Sequence, residues 1–396
     1  MTERDRRDAA ARSLGVTSAN WLEAPYNRLG FRSVETLART ARISRGDGPA
    51  LELPRKEHDL AGLRFQHGGR TFDLPAMLAN TFTDGFLVVQ YGAVVTEQYF
   101  NGMEPHDTHL LMSISKSLNS TLCGVLVGDG ALRTDDFASD HIPQLRGTSW
   151  EGCTVQHLLD MRVGARWDFD LDEHTILDVS DYRAHTRTDI PANTASWICA
   201  VPAAGDHGGP FAYNSLANDV LGWVLEGAGG MPYPELFSDR IWSKLGAEHD
   251  ALIILDRSCF PVVEGGMCTT LRDLARFGLM CLQTGVMGAK QIVPANWIDR
   301  RLFRDEELID AYGGQHNLGG PLGSAFYHDN WWIWDAERGI YAAVGMNGQS
   351  LFLHHPSRTV IAKLSTFPDA LDTRLFALQH AGMAALAETL VQAASL

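Results

Sequence analysis

The chain has 396 residues, more than the roughly 100 to 200 of one ordinary domain, which excludes a single small module. Hydrophobic residues at 45% and charged residues at 20% are globular values that argue against disorder, collagen and coiled coil. Lys+Arg 33 against Asp+Glu 48 leaves a net charge of −15, which repels phosphate backbones and anionic lipid, so nucleic acid and membrane surfaces are not expected partners.

Residues 1 to about 80 read as a wrap of short helices, interrupted by Pro25, Pro54 and Pro75. The start, Met1-Thr2-Glu3-Arg4-Asp5-Arg6-Arg7, carries charge where an export signal needs an apolar core, and no apolar run reaches the roughly 18 residues of a membrane helix. A cytoplasmic protein is the expectation. From Phe86 the pattern becomes β-rich: Phe86 to Tyr91 and Val94 to Phe100 flank Gly92-Ala93 and predict a hairpin. From about Ser113 to Leu245 the spacing is helical, with Leu118, Leu122 and Val125 on one stripe and a further helix over Asp219 to Glu226.

Strands return from Phe326: Trp331-Trp332-Ile333-Trp334, then Ile340 to Val344, Ser350 to Leu353 and Thr359 to Leu364. Asn347-Gly348 signals a tight turn with positive φ at both residues. A closing helix over about Thr373 to Ala394 carries Leu375, Leu378, Leu386 and Leu390. The expected fold class is α+β: an antiparallel sheet flanked by N- and C-terminal helices, with a mainly helical lobe inserted. In residues, a discontinuous sheet domain spans 1–112 and 246–396, a helical domain spans 113–245, and the cleft between them is the expected active site.

The segment with chemical content is Leu111-Met112-Ser113-Ile114-Ser115-Lys116. On a helix starting at the serine, Ser113 and Lys116 share a face as i and i+3, so the amine reaches the hydroxyl. Burial favours the uncharged amine, which accepts a proton, and the helix N-terminus offers a backbone N–H to an oxyanion. Ser115 and Ser117 have no lysine at i+3. With 21 serines and 5 lysines, chance supplies about 0.3 such motifs per chain, so context must carry the argument. One part of it is Tyr213 in Phe211-Ala212-Tyr213-Asn214-Ser215, ahead of a helix. A phenol near a lysine has its pKa lowered and can shuttle a proton, although the same tyrosine reads equally as a half-buried aromatic. The other is Gly345, which lets a ligand approach the strand, with the Met346 amide as a second oxyanion donor.

Ser-x-x-Lys, then Tyr-x-Ser, then a strand motif, in this order, resembles the serine β-lactamase and penicillin-binding-protein fold family. Within it the chain looks most similar to the 6-aminohexanoate-dimer hydrolases and related carboxylesterases. The shared stretches are Asn20-Trp21-Leu22-Glu23-Ala24-Pro25-Tyr26-Asn27-Arg28, Leu110 to Ser117, Tyr213-Asn214-Ser215, Gly265-Gly266, Arg272 to Gly278 and Gly345 to Ser350. The resemblance implies Ser113 as acylated nucleophile, Lys116 as its base, Tyr213 as proton shuttle and the amides of Ser113 and Met346 as oxyanion hole. It also implies a small-molecule amide or ester as partner, no metal and no cofactor; a homodimer is a further expectation. Trp167, Glu264, Gly345 and Trp331 are the expected substrate-binding residues, and the loop of about 165 to 205 is expected to choose the substrate.

The departures are informative. Ala343-Val344-Gly345 stands where the family's β-lactamases and peptidases carry Lys-Thr-Gly or His-Thr-Gly, Glu264 where the dimer hydrolases carry asparagine, and Trp167 where they carry tyrosine. The alternatives are a carboxylesterase without amidase activity, a β-lactamase or DD-peptidase, an acyltransferase and an idle binding homologue. Cys123, Cys153, Cys199, Cys259, Cys268 and Cys281 form no Cys-x-x-Cys pair, and His354-His355 point to opposite faces of a strand, so no metal site is expected.

Overall fold

The computed structural model describes residues 9–182, 187–313 and 326–394. In chain order the elements that build the site are β1 (Thr40–Ile43), β2 (Thr83–Gln90), β3 (Ala93–Tyr99), β4 (His109–Leu110), α1 (Ile114–Gly128), α2 (Phe169–Val179), α3 (Ser215–Gly229), β5 (Ala251–Ile254) and β6 (Met267–Thr269). There follow α4 (Leu271–Leu282), β7 (Phe326–His328), β8 (Trp331–Asp335), β9 (Ile340–Gly345), β10 (Gln349–His354), β11 (Thr359–Ser365) and α5 (Thr373–Ala394).

Seven strands form one antiparallel sheet in the order β7-β8-β9-β10-β11-β2-β3, so the early hairpin closes onto the last strand through pairs such as Leu87 with Ala362. Strand neighbours alternate faces, and this divides the core. Leu351 and Val360 face α4, where an added Cβ on Gly278 would meet both. Phe352 on the other face meets Trp334, whose ring lies 4.6 Å from that of His380 on α5. The helix Leu74–Asn80 packs beside α5 on that side. A smaller sheet, β1-β5-β6-β4, carries the chain into α1.

The hairpin between β2 and β3 turns one residue earlier than its composition suggests. Gln90 pairs with Ala93, and Tyr91 and Gly92 occupy the turn at φ 49° and 79°. A two-residue loop matches the strand twist only with positive φ at both positions, so the geometry recruits an exposed tyrosine that reads as strand. Asn347 and Gly348 show the expected positive φ values, 58° and 88°. The N-terminal segment contains more than short helices. β1 pairs with β5, and Arg64–His67 pairs with Arg70–Asp73. β1 lacks alternating burial and finds its partner in a distant part of the chain, which removes both signals by which a strand is read.

Candidate active site

α1 begins at Ser113, whose φ of −66° is already helical, immediately after Met112 in the left-handed region at φ 49°. Such backbone in a non-glycine residue costs on the order of 1 kcal/mol and recurs at functional sites. One helical turn sets Lys116 over Ser113, and the Lys116 Nζ donates to Ser113 Oγ at 2.8 Å. Both side chains are largely buried, Lys116 at 1% exposure and Ser113 at 9%.

Glu264 arrives from the segment between β5 and β6. Its backbone carbonyl accepts from Lys116 Nζ at 2.7 Å and its Oε2 lies 3.3 Å from the same nitrogen. Tyr182 donates its hydroxyl to Glu264 Oε1 at 3.1 Å, and the Glu264 N–H donates to Asp219 Oδ1 on α3 at 3.0 Å. Burial, reinforced by the charge of Glu264, pushes the Asp219 carboxyl well above the usual carboxylate range. Lys116 therefore sits in an acidic nest.

Asn214 caps α3 by accepting from the Ala217 N–H at 3.1 Å, which fixes the residue before it, Tyr213. The Tyr213 ring stacks on Trp332 with centroids 5.8 Å apart and planes at 15°, and Lys116 Nζ lies 5.2 Å from its centroid. The lysine does not lower this phenol. Burial raises it well above the ordinary tyrosine value and the charges of Glu173 and Glu264 push the same way, with the Ser113 hydroxyl opposing them. The expectation of a lowered phenol fails because desolvation, joined by the charges of two carboxyl groups, raises it.

Ser113, Tyr213, Trp332, Gly345, Met346 and Glu173 share the wall of one cavity of about 40 Å³. Phe169 and Phe376 add apolar surface. Gly345 is required for closeness: a Cβ there would stand 2.5 Å from the Leu111 carbonyl oxygen and 3.0 Å from the Ser113 nitrogen. The end of β9 and the entrance of α1 thus meet backbone to backbone.

Other expected substrate-binding residues fall elsewhere. Trp331 does not line the cavity. Its ring is fully buried 5.2 Å from Tyr341, with the Arg301 guanidinium 4.7 Å above it, and its neighbour Trp332 faces the cavity because adjacent strand residues point to opposite faces. Trp167 packs on Trp197 at 5.6 Å, while Phe169 takes the cavity wall. Glu264 lies behind Lys116 and is not part of the wall. The expected substrate loop includes residues 183–186, which lie outside the described residues.

Glu173 on α2 went unrecognised in the sequence. Its Oε1 accepts the Ser215 hydroxyl at 2.6 Å. Burial pushes its carboxyl up to about 7, against the pull of Lys116 and with the repulsion of Glu264. The available signal was an acidic residue three positions before Ile176, on the buried face of an amphipathic helix.

Two histidine clusters are also internally satisfied. His207 Nδ1 accepts from the Gly164 N–H at 2.9 Å, beside Cys153 and His157, so this ring nitrogen is taken by the backbone. In the second cluster Asp160, His328 and Asp329 are joined by Arg300, two anions against two cations. Among the described residues no helix is long and apolar enough to cross a membrane.

The β-lactamase family pattern matches residues 78–368, and the chain belongs to that family. It is a hydrolase. Over 370 residues it is 35% identical to the 6-aminohexanoate-dimer hydrolase of Paenarthrobacter ureafaciens, covering 90% of each chain. A Bacillus anthracis protein assigned as a 6-aminohexanoate-dimer hydrolase superposes with a TM-score of 0.87 at 23% identity, over 96% of this chain and 98% of that one. The octameric penicillin-binding protein homologue from Pyrococcus abyssi gives 0.61 at 18% identity, over 79% and 75%. These two likenesses speak for the fold.

Proposed function

We propose that the protein cleaves short linear amides or esters through an acyl-enzyme on Ser113, in the manner of a 6-aminohexanoate-dimer hydrolase. The observation that carries this reading is the 2.8 Å bond from Lys116 Nζ to Ser113 Oγ at the edge of a cavity that Tyr213 also lines. Ser113 Oγ attacks the carbonyl carbon while Lys116 manages its proton. The amides of Ser113 and Met346 receive the oxyanion. Tyr213, kept as a neutral phenol by burial, donates to the departing alkoxide or amine.

A linear substrate is favoured over a penicillin. Ala343 stands where the family's penicillin-recognising members carry the strand cation, and Val344 beside it lines the cavity, so β9 offers an apolar wall and no carboxylate-binding charge. The proposed location is the cytoplasm, which six unpaired cysteines support; sedimentation of the purified protein checks the expected homodimer.

Ser113→Ala tests the reading. It should abolish turnover of a p-nitrophenyl ester and stoichiometric labelling by a phosphonate while the fold is retained. Survival of either activity overturns it, and rapid nitrocefin hydrolysis by the unmodified protein would favour a β-lactamase instead.

A further inference from the structure

The acyl-enzyme of this reading must be released by water, and the groups around Ser113 are unequally suited to activate one. Lys116 Nζ is committed to Ser113 Oγ, the Glu264 carbonyl and the Glu264 carboxylate. Tyr213 is held as the phenol by burial. Glu173, although its Oε1 accepts the Ser215 hydroxyl at 2.6 Å, lines the same cavity as Ser113, and the cavity of about 40 Å³ exceeds the roughly 10–15 Å³ that one water needs. We propose that Glu173 is the general base of deacylation, taking a proton from the water that attacks the Ser113 ester.

The step balances. One water O–H bond breaks and its proton goes to Glu173, while the oxygen bonds to the acyl carbon. In the acylation half the serine proton taken by Lys116 passes to Tyr213 as the phenol protonates the leaving group, so the acyl-enzyme holds an uncharged amine and an intact phenol. The ester bond to Ser113 Oγ then breaks, Oγ takes the proton of the Tyr213 hydroxyl bonded to it, and Glu173 returns its proton to Tyr213, which restores the starting state; the product acid ionises in solvent. Facing Glu173 are Lys116 from α1, Glu264 from the β5–β6 segment and Tyr213 from the approach to α3. Their balance with burial sets the carboxyl near 7, where a base serves best at neutral pH.

The competing explanation is structural: Glu173 accepts the hydroxyl and backbone N–H of Ser215 at the start of α3. Glutamine keeps both bonds and loses the base. In E173Q, a p-nitrophenyl ester should give a full burst of one nitrophenol per Ser113, followed by turnover lowered about 10²–10⁴-fold. Intact mass should show the acyl-enzyme accumulating, and the acid limb of the kcat profile near pH 7 should vanish. A second variant, Ser215→Ala, removes a bond that favours the carboxylate and should move that limb to higher pH. Unchanged turnover and an unchanged limb in E173Q overturn the proposal, and if E173Q fails to fold, an unmoved limb in S215A does so. Phosphonate labelling or ester turnover surviving in Ser113→Ala would instead overturn the acyl-enzyme reading itself.

Discussion

Glu264 Oε2 stands 3.3 Å from Lys116 Nζ, and both side chains are almost completely buried. Each polar group has left water, and each finds its compensation in the other and in hydrogen bonds from neighbours. Glu264→Gln removes the carboxyl group and keeps the shape. Breaking a buried pair from one side leaves the other group without its partner, so the variant should lose about 3 kcal/mol of unfolding free energy. Chemical denaturation with a parallel ester assay reads both consequences, and unchanged stability would mean that the backbone carbonyl of residue 264 alone suffices for Lys116.

Gly345 separates crowding from chemistry. Gly345→Ala introduces an atom 2.5 Å from the Leu111 carbonyl oxygen and 3.0 Å from the Ser113 nitrogen, both backbone. β9 must retreat from α1, which moves the proposed Met346 donor relative to Ser113. Loss of one oxyanion donor costs about 10²–10³ in kcat, and G345A should fall in that range while remaining folded. Single-turnover acylation is the measurement, and near-normal acylation would remove the Met346 amide from the proposed machinery.

Adjacent tryptophans should respond differently. Trp331→Ala empties a fully buried site against Tyr341 and Arg301, and should cost about 3–5 kcal/mol of stability. Trp332→Ala removes the surface on which Tyr213 stacks, so its principal effect should be on kcat/KM. Thermal melts beside ester kinetics for the two variants separate these outcomes.

Tyr213→Phe keeps the ring on Trp332 and deletes the hydroxyl. Because burial holds that hydroxyl protonated, its loss removes a proton donor to the leaving group. Amide turnover should fall more than ester turnover, since an amine leaves only when protonated, and the amide rate should drop about 10²–10⁴-fold. Equal losses on the two substrates would argue for a positioning role.

Stability should depend on pH through His328. The imidazole donates to Asp160 at 2.7 Å, lies 3.6 Å from Asp329, and is pushed up to about 9: burial alone would lower it, and the charges of Asp329 and Asp160 overcome that. A folded pKa above the unfolded value of about 6.5 means that the stabilisation is complete below about pH 6.5 and is lost as pH rises through 9. Its size is on the order of 3 kcal/mol. Melting temperatures from pH 6 to 10 should fall across that window and fall less in His328→Asn, and parallel curves would show that the cluster does not titrate in it.

Much of the local structure was legible because it follows from short-range rules. The closing helix Thr373–Ala394 announces itself through leucines at helical spacing, and Asn347-Gly348 through its tolerance of positive φ. Tyr91 reads as strand because its aromatic ring suits one, while the two-residue turn needs its backbone. Trp331 and Trp332 have the same composition signal, and only their opposite faces distinguish them.

What the sequence determined by itself is the order of elements and the meeting of Ser113 with Lys116, since a helix of 3.6 residues per turn places i beside i+3 whatever surrounds it. The tertiary structure alone decided the electrostatics. Glu173, Glu264 and Asp219 come from three separate parts of the chain to crowd one lysine, and the protonation of Tyr213 and Glu173 is a sum over those distances and over the water removed by packing. No local pattern encodes such a sum, because each contribution depends on a neighbour supplied by long-range folding.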